Sequence, residues 1–288
     1  MGAILEVQGL TKKYQNSDFR LNDVSFSIPS GSIMGFVGEN GAGKSTTIGC
    51  ILNTLIKDGG SVKIFGEEMT DDRVDLRDDI GVVYDTNCFP EHLTAAEIAS
   101  AMRHIYSKWD DDVFWGYLHK FNLPDKKKLK TFSRGMTMKL AAAVALSHRP
   151  KLLVLDEATS GLDPIVRDDI LDMLLDFVQD ENHSILLSSH ITSDLEKVAD
   201  YITFIHEGSI IFSESKDVLK YSYGMMRCKA AQFDEIDRDD MLAYRKHDYQ
   251  IDVLVVDKQS AMKKYRDIVI DDVNIEEIML MLVKGERQ

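Results

Sequence analysis

The sequence predicts an α/β protein. It should have a parallel sheet between helices, an antiparallel β edge, a helical insertion and a small α+β extension near the C-terminal end. Three observations predict this. Apolar runs of strand length recur at Ser32–Val37, Ile80–Tyr84, Lys151–Leu155 and Ser184–Ser188. Amphipathic stretches such as Pro164–Gln179 separate the later runs, and alternation of strand and helix implies parallel pairing because each helix returns the chain to the same end of the sheet. A glycine-rich run, Gly38–Thr46, stands where the first apolar strand must turn into a helix.

The elements follow in order. Leu5–Val7 and Val24–Ile28 read as short strands, the second alternating apolar Val24, Phe26 and Ile28 with Ser25 and Ser27 before a Pro29-Ser30-Gly31 turn; this predicts the antiparallel edge. After the glycine-rich run, Ile48, Ile51, Leu52 and Leu55 give Lys44–Leu55 a helical period. Asp58-Gly59-Gly60 turns into a strand over Ser61–Phe65. Between Thr94 and Leu129 the period is helical throughout, with Ala95, Ile98, Ala99, Met102 and Ile105 on one face and Phe114, Tyr117, Leu118 and Phe121 on another; this is the helical insertion, set at about residues 87–132. A helix is expected over Thr137–Ser147. Past Phe212 the pattern becomes mixed, with a polar helical stretch over Ser213–Gly224, a strand at Ile251–Val256 and a final helix near Asn274–Val283. A boundary near Ser213 therefore divides a main domain, 1–213, from an accessory domain, 214–288.

A formal net charge of −14 disfavours nucleic acid as a partner, since binding its backbone rewards a basic face. It also disfavours direct attachment to anionic lipid. Three scattered cysteines, Cys50, Cys88 and Cys228, form no CxxC pair and suit a reducing compartment. No apolar run approaches the length of about 18 residues needed to span a bilayer. These features predict a cytoplasmic chain that crosses no membrane itself.

Gly38, Glu39, Asn40, Gly41, Ala42, Gly43, Lys44 and Ser45, followed by Thr46, fit the pattern G-x-x-x-x-G-K-[ST]. Glycines at these positions let backbone N–H groups turn toward phosphate oxygens, and the following helix adds its positive N-terminal end. Lys44 is placed to reach the terminal phosphates of a nucleotide and Ser45 to ligate Mg²⁺. The second carrier of chemistry is Leu152–Glu157, an apolar strand that delivers two carboxylates at its C-terminal end, where open α/β sheets bind ligands. Asp156 suits a role on Mg²⁺, and Glu157 suits the general base that activates water.

Phe132-Ser133-Arg134-Gly135-Met136 lies between these two motifs and opens a helix leading to the second. In order and spacing the chain resembles the ATP-binding cassette family over about residues 4–213, with this segment in place of the signature L-S-G-G-Q. The resemblance implies a P-loop NTPase (RecA-like) core with an antiparallel β subdomain and a helical subdomain. It further identifies Ser160–Pro164, including Asp163, as the D-loop, His190 as the switch histidine and Tyr14 as the aromatic that stacks on adenine. ATP and Mg²⁺ are the implied cofactors. Cassettes of this family meet head to tail, so Ser133 and Gly135 of one subunit are expected to close over the nucleotide held by Lys44 of another.

Two departures from the family pattern matter. Asp85 stands where the family usually has a glutamine after the strand IGVVY; it either contacts Mg²⁺ through oxygen or points to solvent. Arg134 replaces a glycine of the signature, and either adds a cation near the phosphate across the dimer or pairs with local acids.

The resemblance implies an ATP-hydrolysing subunit of a membrane transporter, bacterial exporter-like, moving drugs, peptides or lipid-like compounds. Its partners would be a second nucleotide-binding subunit, identical or paralogous, and a separately encoded transmembrane permease through which it attaches to the inner face of the membrane. The segment Asn87–Leu129 should form the groove that receives the permease, with Phe89, Pro90 and His92 at its mouth. Two alternatives stand beside this: a soluble cassette ATPase, and a low-turnover nucleotide-dependent scaffold.

Overall fold

A computed structural model describes residues 2–15, 17–86 and 88–286. Asn87, the first residue of the expected groove segment, lies outside them. The chain divides into two compact units, residues 1–199 with 205–210, and residues 200–204 with 211–288.

The first unit begins with β1 (Ala3–Lys13) and β2 (Arg20–Pro29), both longer than their apolar cores suggested. They pair antiparallel, with β4 (Gly59–Ile64) and β5 (Glu67–Glu68) completing a sheet of order β2-β1-β4-β5. Between them run β3 (Ile33–Val37), all five residues buried, and α1 (Lys44–Ile51). The expected helix to Leu55 stops earlier because Asn53 takes a left-handed φ of 53°, while the N–H groups of Thr54 and Leu55 both fold back onto Gly49 O.

After α2 (Val74–Asp78) and β6 (Ile80–Tyr84) comes the helical insertion, α3 (Ala95–Met102) and α4 (Asp111–Lys120). Thr94 and Glu97 form a capping box that starts α3, satisfying two backbone donors that would otherwise be unpaired. The helical face drawn through Ile105 ends early: α3 closes at Met102, and Ile105 is 66% exposed. A 3₁₀ turn at Leu129–Thr131 leads to α5 (Arg134–Leu146), which starts three residues sooner than expected because the Ser133 hydroxyl caps it.

The remaining elements of this unit are β7 (Leu152–Asp156), α6 (Pro164–Phe177), β8 (Ser184–Ser189) and α7 (Thr192–Val198). Strands β3, β8, β7 and β6 lie side by side in that order, all parallel. Both β7 and β8 are buried along their whole length, as expected of strands covered on both faces. The register fixes the site. Val37 pairs with Ser189, and Asp156 pairs with both Ser188 and Tyr84, so the residues that follow each strand leave the sheet at one edge.

Strands β9 (Tyr201–His206) and β10 (Ser209–Ser215) form a hairpin whose tip, Ile205–Ile210, belongs to the first unit. There Gly208 N–H donates to Ala42 O at 2.9 Å, and Asn22 N–H donates to Gly208 O at 2.8 Å.

In the second unit, α8 (Lys216–Ser222) precedes an antiparallel sheet made of β11 (Gly224–Cys228), β12 (Ala243–Lys246), β13 (Ile251–Val255) and β14 (Val269–Asp271), in the order β12-β13-β11-β14. Three helices complete it: α9 (Ala230–Phe233), α10 (Lys258–Lys264) and α11 (Ile275–Lys284), the last started by an Asn274–Glu277 capping box. Met226, Cys228, Ile251, Val253 and Val255 form its apolar core with Ile236 and Ala261.

Candidate nucleotide site

The loop between β3 and α1 is shaped by glycine where a side chain has no room. Gly43 holds φ +115°, a region L-residues rarely adopt, and a Cβ there would sit 2.7 Å from Leu21 and 3.0 Å from Phe19. At Gly38 a Cβ would lie 2.5 Å from Ile205 O. The loop thereby wraps Lys44, which is 5% exposed. Its ammonium donates to Gly38 O at 2.7 Å and to Glu39 O at 3.1 Å, and meets Glu157 Oε1 at 3.0 Å.

Glu157 leaves β7 with φ +54°, an unusual conformation for a residue with a side chain that turns its carboxylate inward. Its other oxygen, Oε2, lies 2.6 Å from His190 Nδ1. The sheet register and the loop after β3 therefore bring Glu157 and His190, which follow β7 and β8, and Lys44, which opens α1, into one chain of contacts. Asp156 is buried beside them. Ser188 Oγ donates to its Oδ1 at 3.0 Å, and the Ser45 hydroxyl also bonds to it. Burial pushes the Asp156 carboxyl above its usual range; the two serine bonds pull the other way, while Glu157 and Asp85 add repulsion.

A cavity of about 340 Å³ opens over this cluster, lined by Phe19, Asn40, Gly41, Gly43, Lys44, Ser45, Thr46 and Glu157. Ala42 is buried, and with Glu39 and Asn40 it borders an adjoining cavity that also takes in Asp18 and Arg20. Tyr14 follows β1, is 38% exposed, and places its hydroxyl 3.5 Å from Thr46 Oγ1.

The other residues singled out from the sequence stand further off. Ser133 is exposed and spends its hydroxyl on Met136 N–H at 3.3 Å. Gly135 is buried against Val166, which a Cβ would approach to 3.1 Å. Asp163 caps α6 by accepting from Ile165 and Val166 N–H. None of the three lines the cavity over Lys44. Asp85 is exposed and faces a separate cavity of about 260 Å³ with Tyr84, Thr86, Glu91, Phe132 and Arg134. Phe89, Pro90 and His92, expected at the mouth of a groove formed by the following helices, do not line this cavity; Glu91, between them, does. Arg134 packs its guanidinium beside Gly161.

Sequence reasoning missed two residues. Phe19 forms a wall of both cavities beside the loop, but an isolated aromatic between two strands carries no motif. Ser188 holds Asp156; its signal was a hydroxyl at the end of the apolar run Ile185–Leu187, beside the carboxylate-tipped strand.

The residues present fit a nucleotide with a divalent cation. A buried carboxylate with a raised pKa and a serine hydroxyl beside it favour an added positive charge. Among the described residues no group of three His, Cys, Asp or Glu side chains forms a metal cage, so phosphate oxygens would supply the remaining ligands, as is usual for Mg²⁺.

A phosphate loop between a buried strand and a helix, with a carboxylate-tipped strand in the same parallel sheet, defines a P-loop NTPase. Residues 21–160 match the ABC transporter family. The chain is 36% identical over 216 residues to the lantibiotic transport ATP-binding protein SrtF of Streptococcus pyogenes, covering 74% of this chain and 92% of that protein. It is 35% identical over 226 residues to the bacitracin transport ATP-binding protein BcrA of Bacillus licheniformis, covering 76% and 72%. A solved ATP-binding subunit of an ABC transporter superposes with a TM-score of 0.66 at 27% identity, covering 75% of this chain and 91% of that one. The chain belongs to the ATP-binding subunits of ABC transporters, ATPases that power transport.

Proposed function

We propose that this chain hydrolyses ATP with Mg²⁺ to drive an exporter, working as a dimer of cassettes with a separately encoded permease. The observation that carries the reading is Glu157, held between Lys44 at 3.0 Å and His190 at 2.6 Å at the ends of adjoining strands. Loop N–H groups and Lys44 bind the phosphates. Glu157 accepts a proton from the attacking water, and His190 orients the Glu157 carboxylate toward it. Ser45 and Asp156, with Asp85 as a further oxygen donor, would hold Mg²⁺, whose chemistry when bound would be to neutralise phosphate charge.

In this reading Tyr14 stacks on adenine, and the loop residues Gly38–Thr46 cradle the phosphates. Ser133, Gly135 and Asp163 serve the partner subunit's nucleotide, which accords with their place outside the Lys44 cavity. Residues 1–213 act as the nucleotide-binding domain, with the helical subdomain at about 87–132, and 214–288 as an accessory domain. Lantibiotic and bacitracin transport by the relatives supports a peptide antibiotic or similar amphipathic cargo. No helix among the described residues is long and apolar enough to cross a membrane; the proposed attachment to the inner face of the cell membrane is through the permease. The cavity bordered by Asp85, Glu91 and Arg134 is the proposed seat for it.

Steady-state phosphate release from the purified chain, beside that of Glu157→Gln, tests the enzymatic reading. A rate that depends on Glu157 and Mg²⁺ is expected. Equal, negligible rates in both proteins would replace it with the scaffold reading, which the acidic Asp85 favours. Co-purification with a hydrophobic membrane protein tests the transport assignment.

A further inference from the structure

Two segments leave the catalytic strand ends and become helices. From Glu157 the chain turns through Ser160, whose N–H donates to Glu157 O at 3.1 Å, and enters α6 at Asp163. From His190 it passes Ile191 into α7, where Asp194 N–H donates to Ile191 O at 3.3 Å. The segments meet at their tips through the Glu157–His190 contact. They meet again behind it, where Arg167 Nη1 of α6 faces Asp194 Oδ1 of α7 at 3.8 Å.

This second meeting is incompletely made. Asp194 is 5% exposed in its side chain, yet its Oδ2 has no hydrogen-bond partner. Arg167 Nε is likewise buried without one, although Arg167 Nη2 reaches back to Leu162 O at 3.5 Å. Thr159, in the turn just after Glu157, has a buried hydroxyl in the same condition. Buried polar groups are rarely left unpaired, and a guanidinium and carboxylate at ordinary separation would form two parallel bonds. On the exposed flank the same helices are tied by Lys197 to Asp168 and to Asp172, so the helices are joined while the inner pair, with Arg167 28% exposed, stays loose.

We propose that Arg167 and Asp194 are positioning residues, a half-buried brace that sets the segment carrying Glu157 against the segment carrying His190 and tightens when nucleotide is bound for hydrolysis. This rests on the hydrolytic reading above. The brace touches no substrate; it acts by holding the carboxylate and imidazole in register, and a small displacement between reacting groups lowers turnover steeply.

The test uses the full chain. Arg167→Ala and Asp194→Asn are expected to lower kcat about tenfold, with KM for ATP within about twofold of wild type, because a transition-state arrangement is lost and ground-state binding is not. The double variant should lose little more than either single one, as coupled partners do. Asp194→Glu, with one more methylene to span the gap, should keep kcat near wild type. Hydrogen exchange without nucleotide gives a readout apart from activity: Arg167→Ala should speed exchange over residues 190–195, and Asp194→Asn over residues 157–163, with β3 unchanged. Single variants with wild-type kcat, multiplicative losses in the double variant, or exchange changes confined to the mutated segment would each overturn the brace. Wild type as inactive as Glu157→Gln would instead remove the hydrolytic reading, leaving exchange across the two segments to decide whether they are braced.

Discussion

Glu157 Oε2 and His190 Nδ1 lie 2.6 Å apart across 33 positions of sequence, and the same carboxylate meets Lys44 through its other oxygen. The carboxylate is thus held from both sides by residues of the proposed ATP site. Replacing Glu157 by Gln removes the proton acceptor while keeping its shape, so kcat should fall by about 10²- to 10⁴-fold, the range for loss of a general base. Nucleotide binding should persist. Phosphate-release kinetics together with fluorescent-nucleotide titration check both halves.

Lys44→Met should instead act on binding. It removes charged hydrogen bonds worth about 1.5–3 kcal/mol, so the dissociation constant for ATP should rise by one to two orders of magnitude. Equilibrium titration of the variant checks this, and unchanged affinity would mean that the ammonium stays with Gly38 O, Glu39 O and Glu157.

Tyr14→Ala is expected to raise KM for ATP about three- to tenfold, the worth of one stacked aromatic pair, with kcat unchanged. Tyr14→Trp should restore it. An unaltered KM would leave Tyr14 as a surface aromatic beside Thr46 only.

Asp85→Gln removes a negative charge that already raises the Asp156 pKa from nearby. Turnover should rise about fivefold, a barrier change of about 1 kcal/mol, and half-saturation by Mg²⁺ should move. If both stay fixed, Asp85 faces solvent throughout the cycle.

His148 is fully buried and stacked on Tyr106 with ring centroids 3.9 Å apart. Burial pulls its pKa below the ordinary 6.5, with bonds to Ile80 O and the Val144 backbone and the charges of Asp78 and Asp79 opposing. The folded protein therefore keeps His148 neutral while the unfolded chain takes up a proton below about 6.5. Its contribution is complete above that pH and is lost as pH falls, by at most about 1.4 kcal/mol per unit. Urea unfolding of wild type and His148→Gln between pH 7.5 and 5 should show wild type losing ground to the variant toward acid.

The sequence by itself determined the phosphate loop, the carboxylate-tipped strand and the alternation of the central strands with helices. Each rests on short-range rules: glycine where N–H groups must converge, apolar runs where both strand faces are covered, and carboxylates where such a run ends. It did not determine helix ends set by single residues, such as Asn53 at φ 53° or the Ser133 cap. Only the tertiary structure decided which residues meet. Sheet register aligned Val37 with Ser189 and Asp156 with Ser188, which carries His190 to Glu157, Ser188 to Asp156, and Arg167 to a loose contact with Asp194. Contacts of that kind join residues tens of positions apart and depend on how strands pair, and no local pattern in the chain encodes them.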